Sequence, residues 1–399
     1  MKTSYDVIIA GGGIIGLAIA RSLLLEKPKL RVLVIEKEPE LGAHASGRNS
    51  GVLHAGFYYS PDSLKAKFCR EGNLEIRKLA GRHGIPVRDV GKVVVAKNSE
   101  ELASLEVLFR RGQENGVELE LREARNLVNI EPLAQTHGAF LWSPNTGVSD
   151  PIKIINALAT EVRELKGEIR LGAAVQVLSE QVLRLNGEIL NTSHFVNAAG
   201  SQSDRMAHNF NLGLEYSMIP FMGVYLAAQA SQLPLRCLVY PVPHPLNPFL
   251  GVHLTLTSDH KVKIGPTAIP ILGREQYALM KGWSLSDIKS SLTGLSTMLR
   301  YGAHDLPALI RSEWPKILRS TLIHEAASLV PSVTTVKGWN RRPPGIRSQL
   351  IHRQTGILHQ DFIIEQSEHS THVLNAVSPG WTSAIPFGEY ISKLVLSKL

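Results

Sequence analysis

Tyr5 to Gly16 reads YDVIIAGGGIIG, an apolar run that leads straight into a glycine-rich turn. An unbroken apolar run of this length predicts a strand that is buried on both faces. Apolar residues at helical spacing then continue from Ile14 to Leu25. A second buried strand is predicted at Arg31 to Ile35, and Glu36 follows it directly.

This order of strand, glycine turn, helix, strand and acid is the dinucleotide-binding fingerprint. Gly11 allows the tight turn, Gly13 lets the backbone approach a pyrophosphate, and Gly16 lets the helix pack closely on the strand. The amide groups at the start of the helix would face the phosphates. Glu36, twenty residues after Gly16, is placed to accept hydrogen bonds from an adenosine ribose.

Fingerprints of this kind serve both NAD and FAD, and three features favour FAD. The motif lies at the very start of the sequence, and no second GxGxxG follows a predicted strand further on. Residues 42–51 (GAHASGRNSG) form a long loop of small residues that can run along an extended cofactor. The loop residues with donors for the cofactor are Ser46, Arg48, Asn49 and Ser50.

The rest of the chain alternates between predicted strands and helices, which indicates an α/β fold. We expect a Rossmann-like FAD-binding domain of the glutathione-reductase type, with an interleaved α+β substrate domain on a mostly antiparallel sheet. The expected FAD-binding domain comprises residues 1–90, 146–212 and 340–399, and the substrate domain residues 91–145 and 213–339. A hairpin-like pair is predicted at 356–366, and turns are predicted near Pro243 to Pro248.

Composition excludes several classes of protein. Of 399 residues, 44% are hydrophobic and 20% are charged, values that exclude a disordered or fibrous chain. The two cysteines, Cys69 and Cys237, lie far apart without a CxxC, so we expect neither a dithiol redox centre nor a metal site. No apolar stretch is long enough to span a bilayer, and the first residues do not resemble a signal peptide. We expect a cytoplasmic protein that can rest on the inner membrane.

The formal charge is +8, and residues 300–353 hold nine Lys/Arg against three Asp/Glu. A basic surface of this kind can attract phosphate, an anionic membrane or an acidic substrate. A flavoprotein that binds RNA is one hypothesis for this charge. The sequence lacks the alternation of aromatic and basic residues typical of RNA modules, so no nucleic-acid partner is expected.

Further segments resemble the FAD-dependent oxidoreductases related to D-amino-acid oxidase, and within them the L-2-hydroxyglutarate dehydrogenases/oxidases. Two of these segments are the loop SGRNSG at Ser46 to Gly51 and FVNAAGSQSDR at Phe195 to Arg205. The others are NSGVLHAGFYY (49–59), SLKAK (63–67), YPVP (240–243), PFLGVHLT (248–255), VKIGPT (262–267), GIRSQ (345–349) and VLNAVSPGWTSAIPFGEYI (373–391). The similarity covers nearly the whole chain.

The resemblance implies that FAD is the cofactor and that an L-2-hydroxy acid is oxidised, with L-2-hydroxyglutarate giving 2-oxoglutarate. It implies hydride transfer to flavin N5, with electrons passed on to a quinone or to oxygen. An amine or amino-acid oxidase of the same superfamily is the alternative function. The implied cofactor contacts are Gly11, Gly13, Gly16, Glu36, Lys37, Ser46, Asn49, Ser50, Val175, Ala199, Gly200, Gly380, Thr382 and Ser383.

The implied chemistry needs a base for the hydroxyl proton and a cation for the carboxylate. Two histidines are candidates for the base, His54 in the small-residue loop and His253 in an apolar strand, and the sequence does not choose between them. Arg347 is the first candidate for binding the substrate carboxylate, because a planar guanidinium can donate two hydrogen bonds to the two carboxylate oxygens. Further candidates for substrate contact are Tyr58, Tyr59, Lys65, Lys67 and Trp381.

The last helix should begin near residues 382–384, because Pro386 is tolerated only in a first turn. The backbone amides at that start could face the edge of the flavin where negative charge grows on reduction. Gly380 would allow the backbone to approach the ring closely.

Overall fold

The structure is a computed structural model that describes residues 3–243, 249–278, 281–302 and 305–399. The turns predicted near Pro243 to Pro248 lie, apart from Pro243, outside the described residues.

Helices and strands alternate along most of the chain. The helices are α1 (Ile14–Glu26), α2 (Leu64–Arg82), α3 (Ser99–Glu114), α4 (Leu127–Ile130), α5 (Pro151–Glu164), α6 (Ser203–His208), α7 (Leu285–Tyr301), α8 (Leu306–Glu313), α9 (Arg319–Ala327) and α10 (Ala384–Leu396). Strands in the first part are β1 (Thr3–Ala10), β2 (Val32–Ile35), β3 (Val52–Leu53), β4 (Arg88–Asp89), β5 (Lys92–Val95), β6 (Glu120–Glu123), β7 (Ala139–Ser143), β8 (Gly147–Val148), β9 (Glu168–Arg170) and β10 (Val175–Ser179). Those in the second part are β11 (Val182–Leu185), β12 (Glu188–Asn197), β13 (Tyr216–Gln229), β14 (Leu238–Pro241), β15 (His253–Leu256), β16 (Lys261–Gly265), β17 (Ile269–Pro270), β18 (Asn340–His352), β19 (Ile363–Gln366) and β20 (Ser370–Asn375).

The first sheet is built around β1, as the opening motif predicts. Its order is β10-β11-β12-β1-β2-β9, with β20 beside β12 and β19 beside β20. The central pairs β12–β1, β1–β2, β2–β9 and β12–β20 are parallel. Helices α1, α2, α5 and α10 cover one face through a continuous apolar core. This arrangement confirms the expected Rossmann-like unit.

Local sequence explains the helices that cover this sheet. Asp150 begins α5 by accepting hydrogen bonds from the amides of Ile152 (2.9 Å) and Lys153 (3.3 Å), and Pro151 occupies the first helical position. Helix α10 begins at Ala384, so Pro386 lies in its first turn. The predicted start of the last helix is confirmed.

The second sheet has the order β17-β13-β16-β15-β14-β5-β7-β6, and β18 pairs with β13. Its pairs are antiparallel except for β14–β5. The expected second sheet, mostly antiparallel, is therefore confirmed. A small antiparallel sheet, β3-β8-β4, lies beside the two large ones.

Two details differ from the sequence-based expectation. The hairpin predicted at 356–366 is wrong, because β19 pairs instead with β20. Strand β18, expected in the FAD-binding domain, pairs along its length with β13 in the second sheet. Residues 340–352 therefore belong with the second sheet, while the division of the chain into two domains stays a prediction.

Among the described helices, no segment combines the length and the apolar character needed to cross a bilayer.

Candidate active site

A cavity of about 500 Å³ lies where the carboxyl ends of the parallel strands meet the second sheet. The residues at or just after the ends of β1, β2, β12 and β20 line it, namely Ala10, Ile35, Ala198 and Ala376. Ligands of open α/β sheets bind at this edge. The cavity wall on the other side is formed by residues of β13, β14, β15 and β18.

The glycine turn has the geometry that the motif predicts. Gly11 has φ +114°, a conformation that side chains disfavour, and a Cβ there would overlap the backbone oxygen of Ala198. A Cβ on Gly13 would lie 2.9 Å from Ser46 Oγ, at the cavity wall. Gly16 does not line the cavity; a Cβ there would overlap the carbonyl oxygen of Gly11, so this glycine lets α1 pack on the turn.

The start of α1 offers amide groups to the cavity. Gly13 is the N-cap residue and brings no side chain to it. Ser46 Oγ accepts a hydrogen bond from the Ile14 amide at 3.1 Å and so ties the long loop to the helix. The next amides of the first turn have no partner within the helix. A phosphate fits this position, as expected.

Glu36 is held in place by the backbone. Its carboxylate accepts hydrogen bonds from the Gly12 amide at 2.8 Å and the Glu38 amide at 3.0 Å. Both bonds fix the carboxylate at the end of β2 on the cavity wall, where a ribose hydroxyl can reach it.

Next to Glu36 lies a charged network that the sequence did not reveal. Lys37 lines the cavity, but its ammonium lies 2.6 Å from Glu38 and 2.9 Å from Glu275. His44 contacts Glu38 at 2.9 Å and the Tyr277 hydroxyl at 2.9 Å. The Glu38, His44 and Glu275 side chains lie close enough together to hold a metal ion. Lys37 pairs with both carboxylates and neutralises one of their two negative charges.

The long loop at 42–51 is confirmed as irregular, and its side chains do different things. Asn49 uses its amide group within the loop, donating to the Ser46 carbonyl at 2.6 Å and accepting from Gly51 at 2.8 Å. Arg48 stacks on the Tyr277 ring at 4.1 Å. Ser46, Asn49 and Ser50 all line the cavity. Val175, Ala199 and Gly200, predicted to contact the cofactor, line the cavity too.

The two candidate bases, His54 and His253, lie in the same cavity. Nδ1 of His253 is 2.8 Å from the Gly251 carbonyl, so it carries the hydrogen and leaves the Nε2 lone pair available. Burial lowers the pKa of His253 to about 4. Burial, together with the charge of Lys92, holds the pKa of His54 well below its usual value. Both rings are therefore neutral at neutral pH and can accept a proton.

Arg347 lies on β18 opposite Phe221 and reaches the same cavity. Its guanidinium lies 5.0 Å from the Phe249 ring. Burial lowers the pKa of Arg347, and the groups that partly oppose this effect are the phenols of Tyr225 and Tyr59. In the described part of the chain, no carboxylate pairs with this guanidinium. A free guanidinium in a cavity is suited to bind a carboxylate.

The C-terminal turn closes the cavity between the histidines and the glycine turn. Gly380, Trp381 and Thr382 line it. Thr382 Oγ1 donates to the Val52 carbonyl at 3.1 Å and lies 3.3 Å from the His54 amide, so it fixes the segment that carries His54. The Gly380 amide donates to Val377 at 2.8 Å. This amide is therefore not free for a ligand.

Four further residues predicted as contacts do not line the cavity. Ser383 is buried outside the lining, and its amide donates to the Pro379 carbonyl at 3.0 Å. Tyr58 lies behind the wall, with its ring 4.3 Å from that of Phe57. Lys65 is buried 5.7 Å from the Tyr59 ring, also behind the wall, and Lys67 is exposed.

Sequence reasoning did not single out several residues of this site. Tyr225, Tyr240, Arg274 and Tyr277 line the cavity. The Tyr240 ring stacks on His253, with centroids 3.9 Å apart. The Arg274 guanidinium pairs with buried Asp204 at 2.8 Å and so joins the loop after β17 to α6. These residues come from separate strands and loops, and no local motif marks them.

Comparisons with known proteins agree with this geometry. The family model described as FAD dependent oxidoreductase (DAO) matches residues 6–394. The L-2-hydroxyglutarate dehydrogenase of Escherichia coli strain K12 is 33% identical over 407 residues, which cover 99% of this chain and 94% of that protein. The human mitochondrial protein of the same name is 30% identical over 413 residues, covering 98% and 88%.

Solved structures show the same fold at lower identity. The L-alpha-glycerophosphate oxidase of Mycoplasma pneumoniae, with FAD bound, has a TM-score of 0.73 and 22% identity, covering 98% of this chain and 95% of that chain. The glycine oxidase of Geobacillus kaustophilus has a TM-score of 0.72 and 20% identity, covering 100% and 96%.

Proposed function

This chain belongs to the DAO family of FAD-dependent oxidoreductases, and we propose that it oxidises L-2-hydroxyglutarate to 2-oxoglutarate. The observation that carries the substrate class is Arg347, a buried guanidinium without a carboxylate partner among the described residues, in one cavity with two neutral histidines. A carboxylate beside a hydroxyl group is the substrate feature that this combination recognises. The names of the relatives supply the particular acid.

FAD, when bound, supplies the acceptor for the hydride that leaves the substrate Cα. The chain supplies the rest of the chemistry. Gly11, Gly13 and the first turn of α1 would hold its phosphates, and Glu36 its ribose. Arg347 would bind the substrate carboxylate and so fix the position of Cα. A neutral imidazole would take the hydroxyl proton.

Of the two histidines, we propose His253 as the base. Its Nδ1 hydrogen bond to Gly251 fixes both the ring and the tautomer, so that Nε2 is the proton acceptor. Nδ1 of His54, by contrast, has no hydrogen-bond partner in the described part of the structure. His253→Gln should therefore lower the rate of flavin reduction more than His54→Gln, measured anaerobically at saturating substrate.

Quinone is the electron acceptor that we propose, because one surface of the protein is suited to an anionic bilayer. On α7, Leu285, Leu292 and Leu299 are seven residues apart and exposed, so they lie on one side of the helix. Lys289 and Arg300 lie on the same helix and are exposed too. Apolar side chains beside cations are typical of surfaces that bind anionic lipid. The cytoplasmic location stays a prediction.

Vesicles test this surface. The protein should sediment with vesicles that contain anionic lipid and stay in solution with neutral ones. Leu292→Glu should abolish sedimentation while leaving flavin reduction unchanged. Equal sedimentation of wild type and Leu292→Glu would argue against a role of this surface in lipid binding. If oxygen reoxidised the reduced flavin as fast as a soluble quinone analogue, that would argue against quinone as the acceptor.

An amine or amino-acid oxidase is the second candidate function. Trp381 favours it, because its indole lines the cavity and would suit an apolar side chain. One experiment separates the two candidates: anaerobic addition of L-2-hydroxyglutarate to the purified flavoprotein should bleach the flavin and yield 2-oxoglutarate. Bleaching by an amino acid with release of ammonia, and none by the hydroxy acid, would favour the alternative.

A further inference from the structure

Lys92 is a buried lysine to which the mechanism above assigns no role. It begins β5, and its side chain has no exposed surface. Its Nζ has no hydrogen-bond partner among the described residues. A charged amine in such surroundings is unfavourable unless an anion pairs with it. Its burial therefore calls for an explanation.

The register of the second sheet places Lys92 in a row of site residues. Lys92 pairs with Leu238, and Tyr240 lies two residues further along β14, so both project from the same face. Val239 pairs with Leu254, which places Tyr240 beside His253. Tyr240 and His253 line the cavity, and Lys92 lies next to them, one side chain behind the wall.

Three aromatic rings enclose the Lys92 amine. Its Nζ lies 4.4 Å from the Phe57 ring, 4.6 Å from the Tyr58 ring and 4.9 Å from the Tyr240 ring. Phe57 and Tyr58 belong to the segment that also carries His54. Ring faces attract a cation but do not neutralise it. The enclosure holds the amine in place and leaves its charge without a carboxylate.

The titratable groups around Lys92 come from every neighbouring element. They are Cys69 on α2, Tyr58 and His54 on the loop after β3, Tyr240 on β14 and His253 on β15. None of them is a carboxylate, and burial lowers the pKa of Lys92 to about 7. Arg347, the other site cation, likewise lacks a carboxylate in the described structure. Arg347 and, when it is protonated, Lys92 thus lack a carboxylate partner among the described residues at the same end of the cavity.

We propose that Lys92 is the buried counter-charge for a dicarboxylate in this cavity, and that the bound dicarboxylate draws a proton from the buffer onto the Lys92 amine. The proposal rests on the proposed function for its ligand class and adds a residue and a linked proton to it. Lys92 does not touch the ligand. Its charge attracts the ligand from behind the side chains of the cavity wall, so it is a positioning residue. The first carboxylate pairs with Arg347, and the second supplies the anion that Lys92 lacks.

The test counts the protons taken up on binding. Oxidised holoenzyme is titrated calorimetrically with glutarate in two buffers that differ in ionisation enthalpy, at pH 6, 7 and 8. An amine with a pKa of about 7 is half protonated at pH 7, so its share of the uptake is about half a proton there and rises towards one at pH 8. Lys65, whose pKa burial also lowers to about 7, can add a similar share.

Two variants isolate the share of Lys92. Lys92→Met removes the amine, and Lys92→Arg keeps a charge that does not titrate. Both should take up about half a proton less than wild type at pH 7, and Lys92→Arg should bind glutarate more tightly than Lys92→Met. Lys97→Met is the matched control, since Lys97 is exposed just beyond the same strand, and it should behave as wild type.

Pentanoate has the same carbon chain with one carboxylate, and it should cause smaller proton uptake than glutarate. Wild-type uptake in both Lys92 variants would overturn the proposal, as would failure of glutarate to bind. If neither variant keeps its flavin, equal uptake with glutarate and pentanoate in wild type would overturn it. Flavin reduction by L-2-hydroxyglutarate tests the proposed function separately, so either idea can fail while the other stands.

Discussion

Replacing Arg347 by methionine should weaken binding of L-2-hydroxyglutarate by a factor of about 100 to 10,000. The guanidinium can donate two hydrogen bonds to one carboxylate, and each bond to a charged group contributes about 1.5–3 kcal/mol. Loss of both is about 3–6 kcal/mol, and every 1.4 kcal/mol is a factor of ten in Kd. Methionine fills the space beside Phe249 but loses the contact of the guanidinium with its ring, so the effect includes that contact as well as the hydrogen bonds.

Anaerobic stopped-flow measurement of flavin reduction separates binding from chemistry. The concentration dependence of the rate gives Kd for the substrate, and its limit gives the rate of reduction. Arg347→Lys keeps a positive charge but cannot donate two parallel hydrogen bonds to one carboxylate. The substrate Kd of this variant should therefore lie between those of wild type and Arg347→Met. Arg342→Met, an exposed position on the same strand, is the control and should leave Kd unchanged. A Kd within threefold of wild type for Arg347→Met would refute the carboxylate assignment.

Three other predictions concern Gly11, Glu36 and two buried histidines. Gly11→Val should abolish FAD retention after gel filtration. Valine disfavours the backbone angle φ +114° at this position, and its Cβ would overlap the backbone oxygen of Ala198. A yellow, folded variant would contradict this. Glu36→Gln should weaken FAD binding about tenfold, seen by ultrafiltration, since a charged acceptor for the ribose is lost. Burial lowers the pKa of His194 to about 4 and of His372 to about 3, so the unfolded state binds protons first as pH falls below the usual 6.5. Each of these histidines should lower the free energy of unfolding by about 2 kcal/mol at pH 5 relative to neutral pH. His372→Phe should make this fall in the free energy of unfolding smaller, as measured by urea titration at the two pH values.

The cofactor end of the site could be predicted because its parts are contiguous in the chain. Gly11, Gly13 and Glu36 belong to one strand–turn–helix–strand unit, and the backbone requirements of the turn select these residue types. The start of α10 was likewise predictable, since Pro386 restricts where a helix can begin. Local sequence determines features of this kind.

The substrate end depends on strand register, which local sequence does not specify. Lys92, Tyr240 and His253 lie far apart in the chain and meet only because β5, β14 and β15 are neighbours. The failed hairpin at 356–366 has the same cause. Residues 363–366 form a strand as expected, but an apolar pattern fits many partners, and β20 is the one it pairs with.

The two ends of the cavity differ in how their charges are balanced. At the adenosine end, Lys37 is paired with Glu38 and Glu275, and Glu36 is held by amides. At the other end, Arg347 and Lys92 have no carboxylate partners in the described structure, and the histidines between them are neutral. Because an unpaired cation in a buried site is costly, the second end is suited to bind an anionic substrate group, whereas the first end offers backbone amides to phosphates. The unpaired charge of Arg347 therefore lies at the end of the cavity where we propose that the dicarboxylate binds.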